Sequence, residues 1–466
     1  MSLLKQSRFL VSFDLDEKRT ILVSNLTDAI CVVDKEAYDI LQRFKEPLPE
    51  DVFSGRPEVA NIITEFKKAS ILTDVGTNEL ELFEKKVKRK RREAVYTFVL
   101  TYNCNLRCIY CYQGEKQPYD MSWETARTVI EFISRRTKER GDKRINLGFY
   151  GGEPLLQKEL IFKILELSEE LLPKDVRLST GIATNGVLLT SDVVDVLKKY
   201  NCEGLQITLD GPPDIHDKRR PKTSGSGTFE EIIDGARRVL GRFPLVFRIN
   251  IDNENMPHIP RFINLLRSLG FNRPDVIIMP SPVLTTTSAC KDYAPYCPSS
   301  PQYAKMILDY MTMFSESGFN VFWREVRPSK LYCEALGDGA RLIFDNFGDI
   351  YTCLAGLRRK EYLVGNVYGK PPIDEGLFEK WRVRSPLQFS ECMKCDIVGF
   401  CGAGCPDEAF ATSGTFNSIH CPYFLYNYRD AMREYVSWKL RYPSRWKRGI
   451  PSRLYMDDID VEQERR

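Results

Sequence analysis

Ten of the 14 cysteines fall into two groups that could bind metal. Cys104, Cys108 and Cys111 share one short segment in the order C-x3-C-x2-C, and seven more lie between Cys333 and Cys421. Three thiolates on one loop can ligate three irons of a four-iron cluster and leave the fourth open, whereas a fully ligated electron-transfer cluster takes a fourth cysteine. The next cysteine along the chain is Cys202, so an open iron, able to accept a chelating ligand, is the economical reading. In the second group, the run Cys392-x2-Cys395-x5-Cys401-x3-Cys405 could on spacing alone be a zinc knuckle. Cys31, Cys202, Cys290 and Cys297 are scattered.

Composition narrows the chemistry. Three histidines disfavour catalytic zinc sites built on two or three imidazoles. Lys plus Arg is 67 and Asp plus Glu 64, and this near balance argues against an electrostatically driven nucleic-acid binder. Asp14, Asp16 and Glu17 interrupt the N-terminus before a signal-peptide core could form. No run of about 18 apolar residues is present to span a membrane. A cytoplasmic enzyme is therefore expected, in a compartment where structural disulfides are rare and clustered cysteines serve metal or catalysis.

The elements that must position these residues follow from periodicity. Over 95–285, strand patterns (95–101, 145–149, 177–183, 204–209, 245–250, 275–279) alternate with helical ones (122–139, 155–172, 191–200, 228–241, 258–269). Such alternation predicts a parallel α/β sheet with right-handed crossovers. Six units can curl into a partial (β/α)6 barrel with its active site at the C-terminal strand ends. One more helix and strand extend the unit to 323. Residues 1–84 read as a separate winged-helix-like domain: a hairpin from Phe9–Phe13 and Ile21–Val23, helices near 35–45 and 57–68, and a short strand at Ile71–Thr73. A basic run, seven of eight residues over 85–92, reads as a solvated linker (85–94). A cysteine-rich region (324–441) ends in an aromatic helix near 423–440, and a polar tail follows from 442.

The segment Cys104-x3-Cys108-Ile109-Tyr110-Cys111 resembles the signature loop of the radical S-adenosylmethionine (radical SAM) enzymes. Gly151-Gly152-Glu153-Pro154 after the second strand resembles the family's GGE segment, and Thr184-Asn185-Gly186 and Asp210-Gly211 end the third and fourth strands on the same rim. The resemblance implies one [4Fe-4S] cluster on Cys104, Cys108 and Cys111, with SAM chelating the open iron. It further implies that Glu153 accepts a hydrogen bond from the SAM amino group, that Gly151 and Gly152 let backbone approach the ligand, and that Tyr110 packs near the adenine. Thr184, Asn185, Arg248 and Asn250 are expected around SAM, and Asp210 with the three cysteines at the catalytic centre.

The seven later cysteines, with Gly348 before Cys353, resemble the SPASM extension of peptide-modifying radical SAM enzymes. That resemblance implies two auxiliary [4Fe-4S] clusters, an inner one on Cys333, Cys353 and Cys405 and an outer one on Cys392, Cys395, Cys401 and Cys421. Arg327 stands where some relatives have an eighth cysteine, so the inner cluster either keeps an open iron or is completed by Cys290 or Cys297. The N-terminal domain resembles a recognition element that captures the leader of a ribosomally made precursor peptide by strand addition. Helix 57–68 is not basic as a DNA-reading helix would be. The implied activity is thioether crosslinking of a peptide, with an electron donor such as flavodoxin or ferredoxin. Carbon–carbon crosslinking and formylglycine formation on a sulfatase are the alternatives within the class. A zinc-binding winged-helix regulator is the alternative outside it.

Overall fold

The computed structural model describes residues 2–88, 93–114, 116–283, 288–323, 333, 335–336 and 339–442, with backbone alone for 288–291. The N-terminal unit contains β1 (Leu3–Gln6), β2 (Leu10–Asp14), β3 (Arg19–Ser24), β4 (Ile30–Asp34), α1 (Lys35–Arg43), β5 (Leu48–Pro49), α2 (Pro57–Lys68), β6 (Leu72–Asp74) and α3 (Glu79–Lys88). Two antiparallel three-stranded sheets result, β2-β3-β4 and β5-β1-β6. The expected hairpin is thus extended by β4, and the chain's first residues join segments after α1 and α2 in a second sheet. Their shared core holds Leu4, Leu22, Leu41, Phe44, Ile63 and Leu72.

The basic run is not all linker. Residues 85–88 form the last turn of α3, and Lys86 is buried there, paired with Asp28 and donating to the Asn25 carbonyl oxygen at 2.6 Å. Residues 89–92 lie outside the described residues.

The central sheet begins with β7 (Glu93–Val99), β8 (Arg144–Tyr150), β9 (Arg177–Thr184), β10 (Cys202–Thr208), β11 (Leu245–Ile251), β12 (Val276–Pro282) and β13 (Asn320–Val321). Each pairs in parallel with the next, for example Phe98 with Phe149 and Leu205 with Leu245. Between them run α4 (Trp123–Arg140), α5 (Lys158–Leu171), α6 (Ser191–Lys199), α7 (Pro213–Arg219), α8 (Phe229–Val239), α9 (Ile259–Ser268) and α10 (Ser300–Glu316). Strand order follows chain order without reversal. Right-handed crossovers then place the helices on one face, and the twisted sheet curls towards a barrel rather than lying open between two helix layers.

The far edge is completed by the cysteine-rich region. β14 (Arg341–Phe344) pairs in parallel with β7, and β15 (Asp349–Tyr351) and β16 (Leu363–Asn366) continue antiparallel. α11 (Glu375–Arg382), α12 (Val398–Cys401), α13 (Pro406–Ser413) and α14 (Tyr428–Arg441) follow. The expected aromatic helix near 423–440 is a short 3-10 turn at Tyr423–Tyr426 and then α14. Trp438 and Tyr435 pack on Trp323, and Asn427 donates to the Ala304 carbonyl of α10 at 2.6 Å. Most of the polar tail lies outside the described residues.

The N-terminal unit is docked on this region. Phe9, Leu26 and Phe83 form one apolar cluster with Val398. Asn25, 1% exposed, donates to the Asp396 carbonyl oxygen (2.8 Å) and accepts from the Gly399 N–H (3.1 Å). A Cβ at Gly399 would collide with the Asn25 side chain, so glycine is what allows this approach.

Candidate functional site

The three-cysteine loop leaves the C-terminal end of β7 and is held by backbone contacts on both sides. Gly152 N–H donates to Thr101 O and Glu153 N–H to Asn103 O, both at 2.9 Å. On the other side Arg107 N–H donates to Pro221 O (2.8 Å) and Ile109 N–H to Arg219 O (3.0 Å). Gly151 has φ +154°, and a Cβ on either Gly151 or Gly152 would collide with backbone oxygen of Thr101 or Asn103. The two glycines were expected to make room for a ligand. Their visible task is to let the β8 end touch the cysteine loop itself.

Glu153 is fully buried. Its carboxylate accepts from Leu155 N–H (2.9 Å), Thr184 Oγ1 (2.6 Å) and Asn185 N–H (2.7 Å). Burial pushes its carboxyl above the ordinary value, although all three donors favour the anion. A carboxylate has about four acceptor positions, so three are filled by the protein. The expected role as a SAM amino acceptor is thereby reduced to one remaining position, and locking the β8 and β9 ends together is its evident work. Asn185 continues the lock, donating to Asn105 Oδ1 at 2.7 Å with the Cys104 sulfur 3.9 Å away.

Tyr110, expected near an adenine, has its hydroxyl inside a polar cluster. It donates to Asp210 and accepts from Arg220 Nη1 (2.9 Å) and Asn250 Nδ2 (3.1 Å). Asp210 is fully buried, accepts from Asn250 N–H (3.0 Å) and lies 3.6 Å from Arg219 Nε. That placement makes Asp210 an anchor joining the loop to β10 and β11, with no exposed oxygen for a catalytic step. Arg248 Nε donates to Asn250 Oδ1 at 2.9 Å, so these two share one face of β11. Arg219 also holds Asp252 through both oxygens (3.0 and 2.8 Å) and accepts company from Tyr293, whose hydroxyl is 2.9 Å away. Burial opposes the charge of Arg219, but Asp210 and Asp252 hold the guanidinium charged. His216, one of the three histidines, is fully buried; its Nδ1 accepts from Asp210 N–H (3.2 Å), and burial with Arg220 and Arg219 keeps the ring neutral.

The three thiols of the loop lie within one another's electrostatic reach. Burial pushes the Cys108 thiol up to about 11, while the adjacent Arg220 works in the opposite direction. Lys116 Nζ is 2.9 Å from the Cys111 sulfur. These cations favour thiolates, the form that binds iron.

The later cysteines separate in space into two sets. Cys353 and Cys405 feel each other and Cys333, whereas Cys392, Cys395 and Cys401 feel Cys421. Among the described residues no three His, Cys, Asp or Glu converge as ligands of a single metal ion. A four-iron cluster takes one thiolate per iron and does not ask for that convergence. The turn Cys401-Gly402-Ala403-Gly404-Cys405 carries three successive positive φ values and presses Gly404 against the His420 carbonyl, which brings Cys421 to the outer set. Cys297 sits elsewhere, its thiol 3.7 Å from the Tyr293 carbonyl oxygen and beside Tyr303. The side chain of Cys290 and the whole of Arg327 lie outside the described residues.

The barrel keeps an open lumen beside Leu354, the neighbour of Cys353. Gly148, Gly181 and Gly204 face it in place of the branched residues that fill closed barrels, leaving a cavity bordered by Asn146, Tyr150, Gln206, Arg341 and Leu354. Tyr150 meets the Tyr112 hydroxyl there, and Tyr112 senses both Cys111 and Cys353. Arg219, Arg220, Asp252 and Tyr293 were not anticipated. The signal for them was the adjacent pair Arg219-Arg220 in a polar run to which periodicity assigns no element.

Residues 98–266 match the model of the radical SAM superfamily, so the chain carries a radical SAM domain. The radical SAM cyclopropyl synthase TigE of Paramaledivibacter caminithermalis is 21% identical over 86% of this chain and 89% of its own length. Among solved structures, anSMEcpe with bound AdoMet and the Kp18Cys peptide superposes with TM-score 0.59, at 17% identity, over 76% of this chain and 98% of its own. Streptococcus suis SuiB bound to its precursor peptide SuiA gives TM-score 0.53, at 15% identity, over 90% of this chain and 99% of its own. The two structures establish the fold, a radical SAM α/β architecture with a mostly parallel central sheet. No helix among the described residues is long and apolar enough to cross a membrane.

Proposed function

We propose that the chain is a radical SAM peptide maturase that forms a thioether between a cysteine sulfur and a carbon of a ribosomally made precursor peptide. The observation that carries this reading is the presence of three groups of neighbouring thiols, one on the β7 loop and two in the C-terminal region, in a barrel that keeps a glycine-lined cavity. Cys104, Cys108 and Cys111 would hold the SAM-binding [4Fe-4S] cluster, and the inner and outer sets would hold two auxiliary ones. When bound, cluster and SAM together supply the one-electron chemistry that removes a hydrogen atom from an unactivated carbon.

The protein's own part is positional. Arg220 and Lys116 offset the thiolate charge of the loop. Glu153, Asn185 and Asp210 fix the strand ends so that the loop does not drift. The lumen, walled by β7–β10 and closed at the side by β14, keeps water from the reacting carbon. Among the described residues the inner set has three cysteines, which would leave an iron for a substrate thiolate. In the N-terminal unit β4 pairs only with β3, and its outer edge is the proposed place for a leader strand. An external one-electron donor such as flavodoxin or ferredoxin completes the requirement.

Mass spectrometry of a short, cysteine-containing peptide encoded beside the gene, co-expressed with the protein, tests this. Thioether formation removes two hydrogens and one alkylatable thiol. Loss of two hydrogens with every thiol still alkylatable would indicate carbon–carbon crosslinking instead.

A further inference from the structure

Arg384 is 3% exposed and has no carboxylate partner among the described residues. Its guanidinium donates only to carbonyl oxygens: Phe416 (2.7 Å) and Ser418 from Nη1, Ala403 and Gly404 (3.4 Å) from Nη2. Ala403 and Gly404 lie between Cys401 and Cys405, and Phe416 and Ser418 precede Cys421. The same side chain is therefore stapled to the turn joining the outer set to the inner one and to the segment bringing in the last outer thiol. Other buried or largely buried cations face carboxylates: Arg219 with Asp252, Lys86 with Asp28, Arg140 with Asp142.

A buried charge without a counter-charge is strongly unfavourable. The anionic groups in reach of Arg384 are sulfurs, Cys333 and Cys405 of the inner set and Cys392 and Cys401 of the outer. Carbonyl dipoles orient a guanidinium but do not neutralise it. Among the described residues, the groups best placed to supply the missing negative charge are these thiolates and whatever they hold.

Resting on the auxiliary-cluster reading above, we propose that Arg384 is a positioning residue shared by both auxiliary sites, a single buried counter-charge that raises the reduction potentials of the two clusters together. A fixed positive charge stabilises the reduced, more negative form of each cluster. Because it is held by the turn that joins the two sets and has sulfurs of both in reach, its removal acts on both.

The test uses the anaerobically reconstituted full-length protein and the variants Arg384→Gln and Arg384→Lys. Iron and sulfide are measured first. A wild-type protein holding one cluster's worth of iron refutes the auxiliary reading itself, independently of Arg384. Redox titration followed by electron paramagnetic resonance then reads each centre. In Arg384→Gln both auxiliary midpoints should fall, by on the order of tenfold in the reduced-to-oxidised ratio at fixed potential, about 59 mV for one electron. The SAM-site signal and uncoupled SAM cleavage should be unchanged. Arg384→Lys keeps the charge but cannot span four carbonyls, so it should restore the potentials to near wild type. Unchanged potentials in Arg384→Gln, a shift at one centre only, or equal loss of iron or potential in both variants would overturn the proposal, the last leaving the arginine a purely structural clamp.

Discussion

Buried positive charge is handled differently at the strand ends and in the cysteine-rich region. At the strand ends Arg219 faces Asp210 and Asp252, and Tyr110 bridges Asp210 to Arg220, so the barrel rim is electrically near complete within the chain. In the C-terminal region Arg384 has carbonyls and sulfurs only. The difference teaches which part depends on a bound group. The rim is preorganised by its own carboxylates, whereas on the auxiliary-cluster proposal the seven-cysteine region reaches charge balance through ionised, ligated thiols.

The comparison can be broken most severely at the first loop. Replacing Cys104, Cys108 or Cys111 by Ala should abolish 5′-deoxyadenosine formation while leaving auxiliary iron in place, as read by iron content and product chromatography. Gly152→Ala should come close to that loss, because the new Cβ meets the Asn103 carbonyl and must push the loop aside. Circular dichroism should show the fold retained. Removing metal with a chelator sharpens the contrast directly. Hydrogen exchange should rise across 392–421 and stay low in β8–β11, where apolar side chains cover the sheet; equal loosening of both regions would erase the distinction.

A smaller effect is expected where the N-terminal unit meets the outer set. Asn25→Ala leaves the buried Gly399 N–H unpaired and strips the Asp396 C=O of its partner, a cost of about 1–3 kcal/mol in chemical denaturation, and should make the outer cluster more oxygen-labile. The same contact means that deleting residues 1–84 would uncover Val398 and loosen the outer set as well as remove any leader site. Point substitution is the cleaner probe.

The smallest effect lies at the opposite end of the barrel. Burial and the neighbouring Glu93 raise the Glu203 carboxyl to about 7. The folded state thus prefers the protonated form. Its contribution is fully present below the ordinary glutamate pKa and is lost as pH rises through about 7. Glu203→Gln should leave thermal stability unchanged near about pH 4 and raise it at about pH 8.

Much of this was legible in the residues. The six main strands and their intervening helices fall within a few positions of where periodicity placed them, because long apolar runs such as Leu245–Ile251 and amphipathic ones such as Phe229–Val239 leave few alternatives. The two cysteine groups were legible from spacing. α7 was not, since Pro213–Arg219 has no apolar stripe and is positioned by its buried His216 and Arg219. The small strands β1, β4 and β5 depend on pairing with distant segments, which local pattern does not record. The surroundings of Glu153 and Asp210 were not legible either. A carboxylate next to glycine in sequence says nothing about which donors will surround it, and here Thr184, Asn185, Tyr110 and Arg219 do so.

The most direct test measures iron, sulfide and zinc on one anaerobically reconstituted sample and then quantifies 5′-deoxyadenosine after adding SAM and dithionite. The account predicts iron and sulfide for three four-iron clusters, little zinc, and product that vanishes in Cys104→Ala. Zinc as the main metal, with no 5′-deoxyadenosine formed, would contradict it.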